Sequence, residues 1–557
     1  MTRDIDRLTA RTFDVLVVGG GIYGLTIAYD AAQRGLTVAL VEADDFGSGI
    51  SFNHLRTIHG GVRYLQTLDV GRARESVRER RALARIAPHT VQPLVFALPL
   101  TRSLTRGKLA MRAGFLLDRV VSFGRNRGVP PSHRLPAGRV VSRGTAIQRF
   151  PGLKRRGMTG AAVWYDYETT EADRLTFSWA LAAWDHGAVL ANHVEAIAPL
   201  TDGRRVVGVR AVDRQTRREI DVGAHVTVNA AGAAVDRLLA PLGPTGRAAP
   251  ARLKAMNLVT RREAGEEALG GRAQSGRMLL LVPWKNCALF GTWESERACA
   301  PDATSVSEDE IVTFIAELNQ AFPSLDLKRH DIGLVHRGTL PATAAGDGRV
   351  SLQRHEQVYD HADEGIEGVV TVAGTKYTTA RAVAERVTDR LLLKLQRAAV
   401  PCRTATTPLP GGGLRDIGLA IAEARREHDA GLPSDTIPHL VAAYGSRYRD
   451  VLDVADGHPE WRTRVGADSP VIGAELVWAV RREMALTLCD AVLRRTPLGA
   501  LGPPGDTAAE RAAQIVGGEL GWHAQRTRDE IDTLRRFYDP GEITSRLDSL
   551  GPLPPSR

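Results

Sequence analysis

From Phe13 to Val18 the run FDVLVV is short, apolar and rich in β-branched residues, the pattern of a strand. A Gly-rich turn follows, then the helix-like LTIAYDAAQRG and a second apolar run, TVALVEA, so the first 45 residues read as a β-α-β unit. A polar Gly/Ser segment, DDFGSGISF, separates it from IHGGVRYL. Residues 70–88, VGRARESVRERRALARIAP, carry the spacing of an amphipathic helix that stops at Pro88. Residues 91–150 mix strand patterns with a basic stretch, and further α/β text runs to about Arg403. A Pro/Gly hinge, TTPLPGGG at 406–413, opens a helical C-terminal part whose clearest apolar stripe is AELVWAVRREMALTLCDAVLRR. The tail LGPLPPSR reads as disordered.

Bulk properties narrow this picture only modestly. A chain of 557 residues predicts two to four domains or lobes. Its longest apolar runs, such as MLLLVPW, fall far short of the ~18 residues needed to span a bilayer. The N-terminus lacks the apolar core of a secretory signal. A cytoplasmic protein is expected. The four cysteines show no C-x-x-C spacing, which argues against a disulfide framework or a structural zinc site. A net charge of +9 permits anionic partners without choosing among phosphate substrates, lipid headgroups and nucleic acid. Nucleic acid fits poorly, since no binding motif or aromatic-interleaved basic platform appears.

The chemistry begins at GGGIYG. Gly19, Gly21 and Gly24 fit G-x-G-x-x-G directly after a strand, and Glu42 ends the next strand, 18 residues beyond Gly24. Gly19 permits the tight turn, Gly21 the approach of backbone to a pyrophosphate and Gly24 the packing of helix on strand, while Glu42 accepts ribose hydroxyls. The helix N-terminus faces the phosphates. FAD and NAD share this fingerprint. Two later strand-Gly pieces, NAAGAAVDRL around Gly232 and VAGTKYTTARAVAE around Gly374, suit a flavin domain that clamps a long ligand with discontinuous segments. In the last piece a strand is expected to end at Gly374 and a helix to begin near Tyr377, with Thr375, Lys376 and Thr378 at its N-terminus, where negative charge is stabilised.

These strings, together with APH and TTPLPGG, resemble the FAD-dependent glycerol-3-phosphate dehydrogenases, relatives of the D-amino-acid-oxidase-like flavoproteins, over most of the chain. IHGGVRYL is the most specific part. The resemblance implies oxidation of sn-glycerol 3-phosphate to dihydroxyacetone phosphate, with electrons passed to a membrane quinone or to oxygen. It implies a cofactor set of Gly19, Gly21, Ile22, Tyr23, Gly24, Glu42, Ala43, Ser51, His59, Gly60, Gly61, Gly232, Gly374, Thr375, Lys376 and Thr378. Gly60 and Gly61 would let backbone lie against the isoalloxazine. Arg63 and Tyr64 would contact substrate, and Arg337, Arg354 and Lys376 would hold its phosphate through guanidinium forks and an ammonium charge. His59 reads either as the base that takes the hydroxyl proton or as a structural histidine.

The chain also departs from the family. Asn257 in LKAMNLV stands on the substrate side where many relatives place a histidine proposed as proton acceptor, and asparagine cannot take a proton. NHLRT at 53–57 replaces Ser-Ser-Lys, GTK replaces Gly-Gly-Lys, and GTWES replaces Gly-Thr-Thr-Asp. Cofactor motifs are kept while the substrate side is edited. Two rival functions follow: a flavin oxidoreductase of another phosphorylated, phosphonylated or carboxylated alcohol, and a flavin-bearing interaction scaffold with little turnover. The stretch 102–127 interleaves Arg102, Lys108, Arg112, Arg119, Arg125 and Arg127 with Leu109, Leu116, Val120 and Phe123. It reads as a helix lying on an anionic membrane surface or as one packed on its own domain.

The expected architecture is α/β: a Rossmann-like FAD-binding domain in three segments (1–90, 151–245, 336–404), a mixed α+β substrate domain in two (91–150, 246–335), and an all-α C-terminal domain (405–557). A homodimer is compatible with it.

Overall fold

The computed structural model describes residues 1–61, 64, 69–104, 107–243, 251–414, 416–428 and 431–541. Arg63 and the Pro-rich tail therefore lie outside the described residues. In chain order the first sheet is built from β1 (Phe13–Val18), β2 (Val38–Val41), β3 (Val189–Ala191), β4 (Glu219–Asn229), β5 (Gln357–Asp360) and β6 (Val369–Ala373). These six run in the order β5-β6-β4-β1-β2-β3, all parallel except the antiparallel edge strand β5, and two further antiparallel strands, Arg205–Asp213 and Val194–Asp202, extend from β4 to make eight.

All six residues of β1 are buried, because each face of the sheet is covered. Val15 and Val17 join a core made with the helices α1 (Ile22–Gln33), α4 (Ala172–Asp185) and α5 (Ala380–Lys394). The helices α2 (Val70–Ile86) and α3 (Lys108–Val121) come between α1 and α4 in sequence. Leu16 and Val18 point the other way, into a core shared with the antiparallel strands Val194–Asp202 and Arg205–Asp213. The three glycine-bearing turns after β1, β4 and β6 thus meet at one edge, since these strands are parallel neighbours with Val18 opposite Asn229 and Asn229 opposite Thr371.

A second, ten-stranded sheet runs from Val350–Leu352 through Ile332–Ala344, Ala251–Glu263, Cys287–Glu294, Met278–Trp284, Ala268–Arg272, Val91–Leu100 and Gly160–Thr169 to Thr57–Ile58, with Arg139–Ser142 also on Gly160–Thr169. The expected boundaries at 150/151 and 335/336 do not coincide with changes of sheet. Strand Gly160–Thr169 pairs along its whole length with Val91–Leu100, and Ile332–Ala344 continues across residue 336 to pair with Ala251–Glu263.

The C-terminal part is helical and ends in α6 (Gly473–Glu483) and α7 (Ala524–Phe537), with further helices between and before them. The apolar stripe 474–495 is not one helix. Met484 adopts φ +54°, and the Asp490 carboxylate accepts N–H bonds from Leu486 (3.0 Å) and Thr487 (3.1 Å), which starts a separate helical turn. Side-chain capping wins over apolar periodicity there. The C-terminal part docks through buried ion pairs: Arg174 on Glu483 (2.5 and 2.8 Å), Arg495 on Asp45 (2.6 and 2.7 Å) and His193 on Asp490 (2.9 Å). Among the described residues no helix is long and apolar enough to cross a membrane.

Candidate active site

A cavity of about 1390 Å³ opens where the glycine turns meet the second sheet and the C-terminal part. Single small-ligand sites usually measure ~300–1,000 Å³, so this one has room for a dinucleotide and a small partner. Its wall includes Gly19, Gly21, Ile22, Tyr23, Glu42, Ala43, Ser51, His59, Tyr64, Gly232, Asn257, Arg337, Gly374, Thr375, Lys376 and Thr378, which is most of the set expected from sequence.

The nucleotide end is tightly made. Gly19 has φ +105°, and a Cβ there would stand 2.6 Å from the carbonyl oxygen of Ala230. A Cβ on Gly24 would meet the Gly19 carbonyl oxygen at 1.9 Å, so α1 packs directly on the turn it leaves. Ser51 Oγ accepts the Ile22 N–H at 2.8 Å, securing the first turn of α1. The Glu42 carboxylate accepts N–H bonds from Gly20 (2.5 Å) and Asp44 (2.8 Å) on the cavity wall. Burial, reinforced by Asp44, pushes its pKa up to about 7. An acceptor group at a strand end, a helix N-terminus and side-chain-free backbone between them are what an ADP moiety requires.

Also lining the cavity, Lys376 carries its ammonium 4.1 Å from the centre of the Tyr64 ring. The helix expected to begin near Tyr377 starts only at Ala380, so Thr375 and Lys376 lie in the turn ahead of it. The reason is Tyr23: its hydroxyl donates to Lys376 O at 3.0 Å and accepts from Lys376 N at 3.3 Å, tying that backbone to α1. His59 is half exposed, with Nε2 at 2.8 Å from Thr57 Oγ1 and Nδ1 at 3.7 Å from the buried Asp166 carboxylate.

Gly60 and Gly61 are not among the lining residues. A Cβ on Gly60 would stand 2.0 Å from Arg80 Nη1 and 2.7 Å from Asp166, so this glycine makes room for an ion pair behind the loop. Gly61 has φ +85°. Arg337 lies in the wall, but its Nη2 donates to the main-chain oxygens of Asp539 (2.6 Å) and Phe537 (3.4 Å), at the C-terminal end of α7. Arg354 is exposed beyond the strand Val350–Leu352 and does not line the cavity.

Three of the four departures from the family pattern meet here, at Asn257, at Asn53 of NHLRT and at Thr292 of GTWES. Asn257 Oδ1 accepts from Thr292 Oγ1 (2.9 Å), its Nδ2 donates to Asn53 O (3.2 Å), and Asn53 Nδ2 donates to Arg337 O (2.8 Å). Next to them His54 accepts the Arg56 N–H on Nδ1 (3.0 Å) and stacks on Tyr377 at 4.7 Å. Burial, with Arg56 nearby, keeps the His54 ring far below the ordinary histidine pKa and therefore neutral. The sequence marked the strings NHLRT and GTWES as departures without giving His54, Thr57 or Thr292 a role, and Arg80 and Asp166 went unmarked. Of the latter two, Asp166 carried a signal, a charged residue inside an otherwise apolar and aromatic strand run, AAVWYDY.

Residues 14–390 match the FAD dependent oxidoreductase family, and residues 402–527 match the C-terminal domain of alpha-glycerophosphate oxidase. A glycerol-3-phosphate dehydrogenase of Synechocystis sp. is 30% identical, covering 96% of this chain and 98% of that protein. One from Mycobacterium leprae is 32% identical, covering 95% and 88%. Among solved structures, the glycerol-3-phosphate dehydrogenase from Bacillus halodurans complexed with FAD superposes with a TM-score of 0.76 over 98% of this chain and 97% of that one, at 24% identity.

Proposed function

We infer the activity from kinship and cavity together: the chain belongs to the FAD dependent oxidoreductase family and, over nearly its whole length, to its glycerol-3-phosphate dehydrogenase members. It is an FAD-dependent oxidoreductase that converts sn-glycerol 3-phosphate to dihydroxyacetone phosphate. The observation that carries this reading is a nucleotide cradle and a lysine-bearing wall on one cavity. When bound, FAD supplies the two-electron acceptor that takes hydride from the carbinol carbon.

The chain's own residues do the rest. Glu42, Ser51 and the first turn of α1 hold the dinucleotide. Lys376, kept in place by Tyr23 and set over Tyr64, receives the substrate phosphate; Arg337 lines the same cavity. Phosphate binding at a distance from the reacting carbon orients the C–H bond, so remote binding energy lowers the barrier. His59, which lines the same cavity, accepts the hydroxyl proton. A quinone or oxygen would serve as the final electron acceptor. Steady-state kinetics with sn-glycerol 3-phosphate and with glycerol test this: kcat/KM falls by at least about 10³-fold without the phosphate, and equal values refute the role given to the anion.

A second reading, another phosphorylated or carboxylated alcohol, is favoured by the Asn53–Asn257–Thr292 cluster, which puts amide and hydroxyl groups beside Arg337. A panel of 2-hydroxy acids and sugar phosphates separates the two: a tenfold or greater preference for a non-glycerol substrate selects the second.

The surface around α3 supports a membrane partner. Leu104 and Phe123 are 99% and 90% exposed, and Leu109, Leu116 and Val120 are exposed with them beside the exposed Arg112 and Arg119. Phe115, Asp118 and Val121 face the protein, so the outer stripe is free to enter an anionic lipid interface.

A further inference from the structure

Asp166 has a buried carboxylate that no step above uses. It sits on strand Gly160–Thr169, 2% exposed, directly behind the loop that carries His59. One oxygen, Oδ1, is fully engaged: it accepts the Gly60 N–H at 2.7 Å and pairs with Arg80 of α2. Arg80 also donates to Tyr165 O at 3.1 Å, and Gly60 has no side chain to come between them. The other oxygen, Oδ2, is turned to His59 Nδ1 at 3.7 Å.

We propose that Asp166, clamped by Arg80 and the Gly60 amide, is the positioning residue that fixes the His59 ring with its proton on Nδ1 and its lone pair on Nε2. This rests on the reading of His59 as the base. The carboxylate is an acceptor only while ionised. Burial would raise its pKa, but Arg80 and His59 outweigh that and hold it below the usual carboxylate range. Its neighbour on the ring therefore has to be N–H. On the opposite side, Thr57 Oγ1 lies 2.8 Å from Nε2, and with Nδ1 protonated the hydroxyl is the donor and Nε2 the acceptor. Thr57 and His59 both line the cavity, so an alcohol that takes the place of the Thr57 hydroxyl meets a nitrogen lone pair and not an N–H. When that nitrogen takes the hydroxyl proton, the ring becomes a cation beside an anion already ionised and desolvated. The closing of the 3.7 Å gap fits catalytic hydrogen bonds that tighten only in the loaded site.

The first test uses the unmodified holoenzyme. In 15N-histidine-labelled protein, with the His59 signal assigned by its loss in His59→Asn, neutral His59 is expected to show a protonated Nδ1 and an unprotonated Nε2; the reverse pattern overturns the proposal. In Asp166→Asn, with FAD absorbance confirming a folded protein, the Nδ1-protonated population falls. Flavin reduction slows at least about tenfold at saturating substrate while KM stays within about twofold, because no substrate contact is lost. An unchanged tautomer and rate in that variant would also overturn it. If instead His59→Asn reduces its flavin at the wild-type rate, the base reading fails, and the tautomer result still stands or falls separately.

Discussion

Gly24→Ala adds one methyl group, and its consequence can be worked from coordinates. The new Cβ falls 1.9 Å from the Gly19 carbonyl oxygen and 3.3 Å from Val17 Cγ1, whereas ordinary contact begins at 3.4 Å. To relieve it, the first turn of α1 must retreat from β1 by about 1.5 Å. Gly19 is itself tied to the sheet, its N–H donating to Val41 O at 2.9 Å. Retreat carries the amides of Gly21 and Ile22 away from the pyrophosphate position and pulls Ile22 from Ser51, whose bond is 2.8 Å. Overpacking of this kind costs about 1–3 kcal/mol. Taken wholly from cofactor binding, that weakens FAD affinity by roughly 5- to 150-fold. The assay is titration of deflavinated protein with FAD, followed by quenching of flavin fluorescence. Gly114→Ala in α3 is the control, since a Cβ there meets nothing within 4 Å, and its Kd should equal that of the wild type. A Gly24→Ala protein that binds FAD within threefold of the wild type would refute the claim that close helix–turn packing builds the phosphate cradle.

Three further outcomes are expected. Lys376→Met should raise KM for sn-glycerol 3-phosphate by at least about tenfold while leaving FAD content unchanged, because an ammonium–phosphate contact is lost and the backbone bonds to Tyr23 are not; loss of FAD instead would assign the lysine to the cofactor. Replacing Leu109, Leu116 and Phe123 together by serine should abolish flotation with anionic vesicles without altering turnover of a soluble dye acceptor; unaltered flotation would remove α3 from the membrane reading. The buried His193–Asp490 pair has a definite pH signature. The His193 pKa is raised, opposed by burial but driven by Asp490, so its contribution is complete below the unfolded value near 6.5 and is lost as pH rises through the folded value. That of Asp490 is lowered, so its contribution is present above about 3.9 and is lost in acid. Asp490→Asn should therefore lower Tm more at pH 6 than at pH 9.5, and an equal loss at both would deny the ion pair its share of stability.

Much of the fold was legible because local rules state it. The strand–Gly turn–helix unit from Phe13, the acid at Glu42 and the returns to glycine at Gly232 and Gly374 are short-range patterns, and parallel pairing of β1, β4 and β6 brings them to one edge. What stayed hidden depends on partners far along the chain. Lys376 precedes its helix because of Tyr23, 353 residues away, and the 474–495 stripe breaks because Asp490 caps its own turn. Gly60 is small for the sake of Arg80 and Asp166, and nothing near it in sequence says so. Arg337 reads as a substrate cation, yet its guanidinium also meets the carbonyls closing α7, about 200 residues on. Periodicity reports which face is buried and not which polar group waits there. The candidate site was therefore found as a place, while its hydrogen bonds were not.

The most direct measurement is anaerobic mixing of the purified, yellow protein with sn-glycerol 3-phosphate in a stopped-flow spectrophotometer. The flavin band near 450 nm is expected to bleach fully in a substrate-dependent first-order phase, with about one dihydroxyacetone phosphate formed per flavin, and to return on admitting quinone or air. A band that stays unbleached at millimolar substrate, in protein with full FAD content, would contradict the assignment of this cavity to glycerol 3-phosphate oxidation.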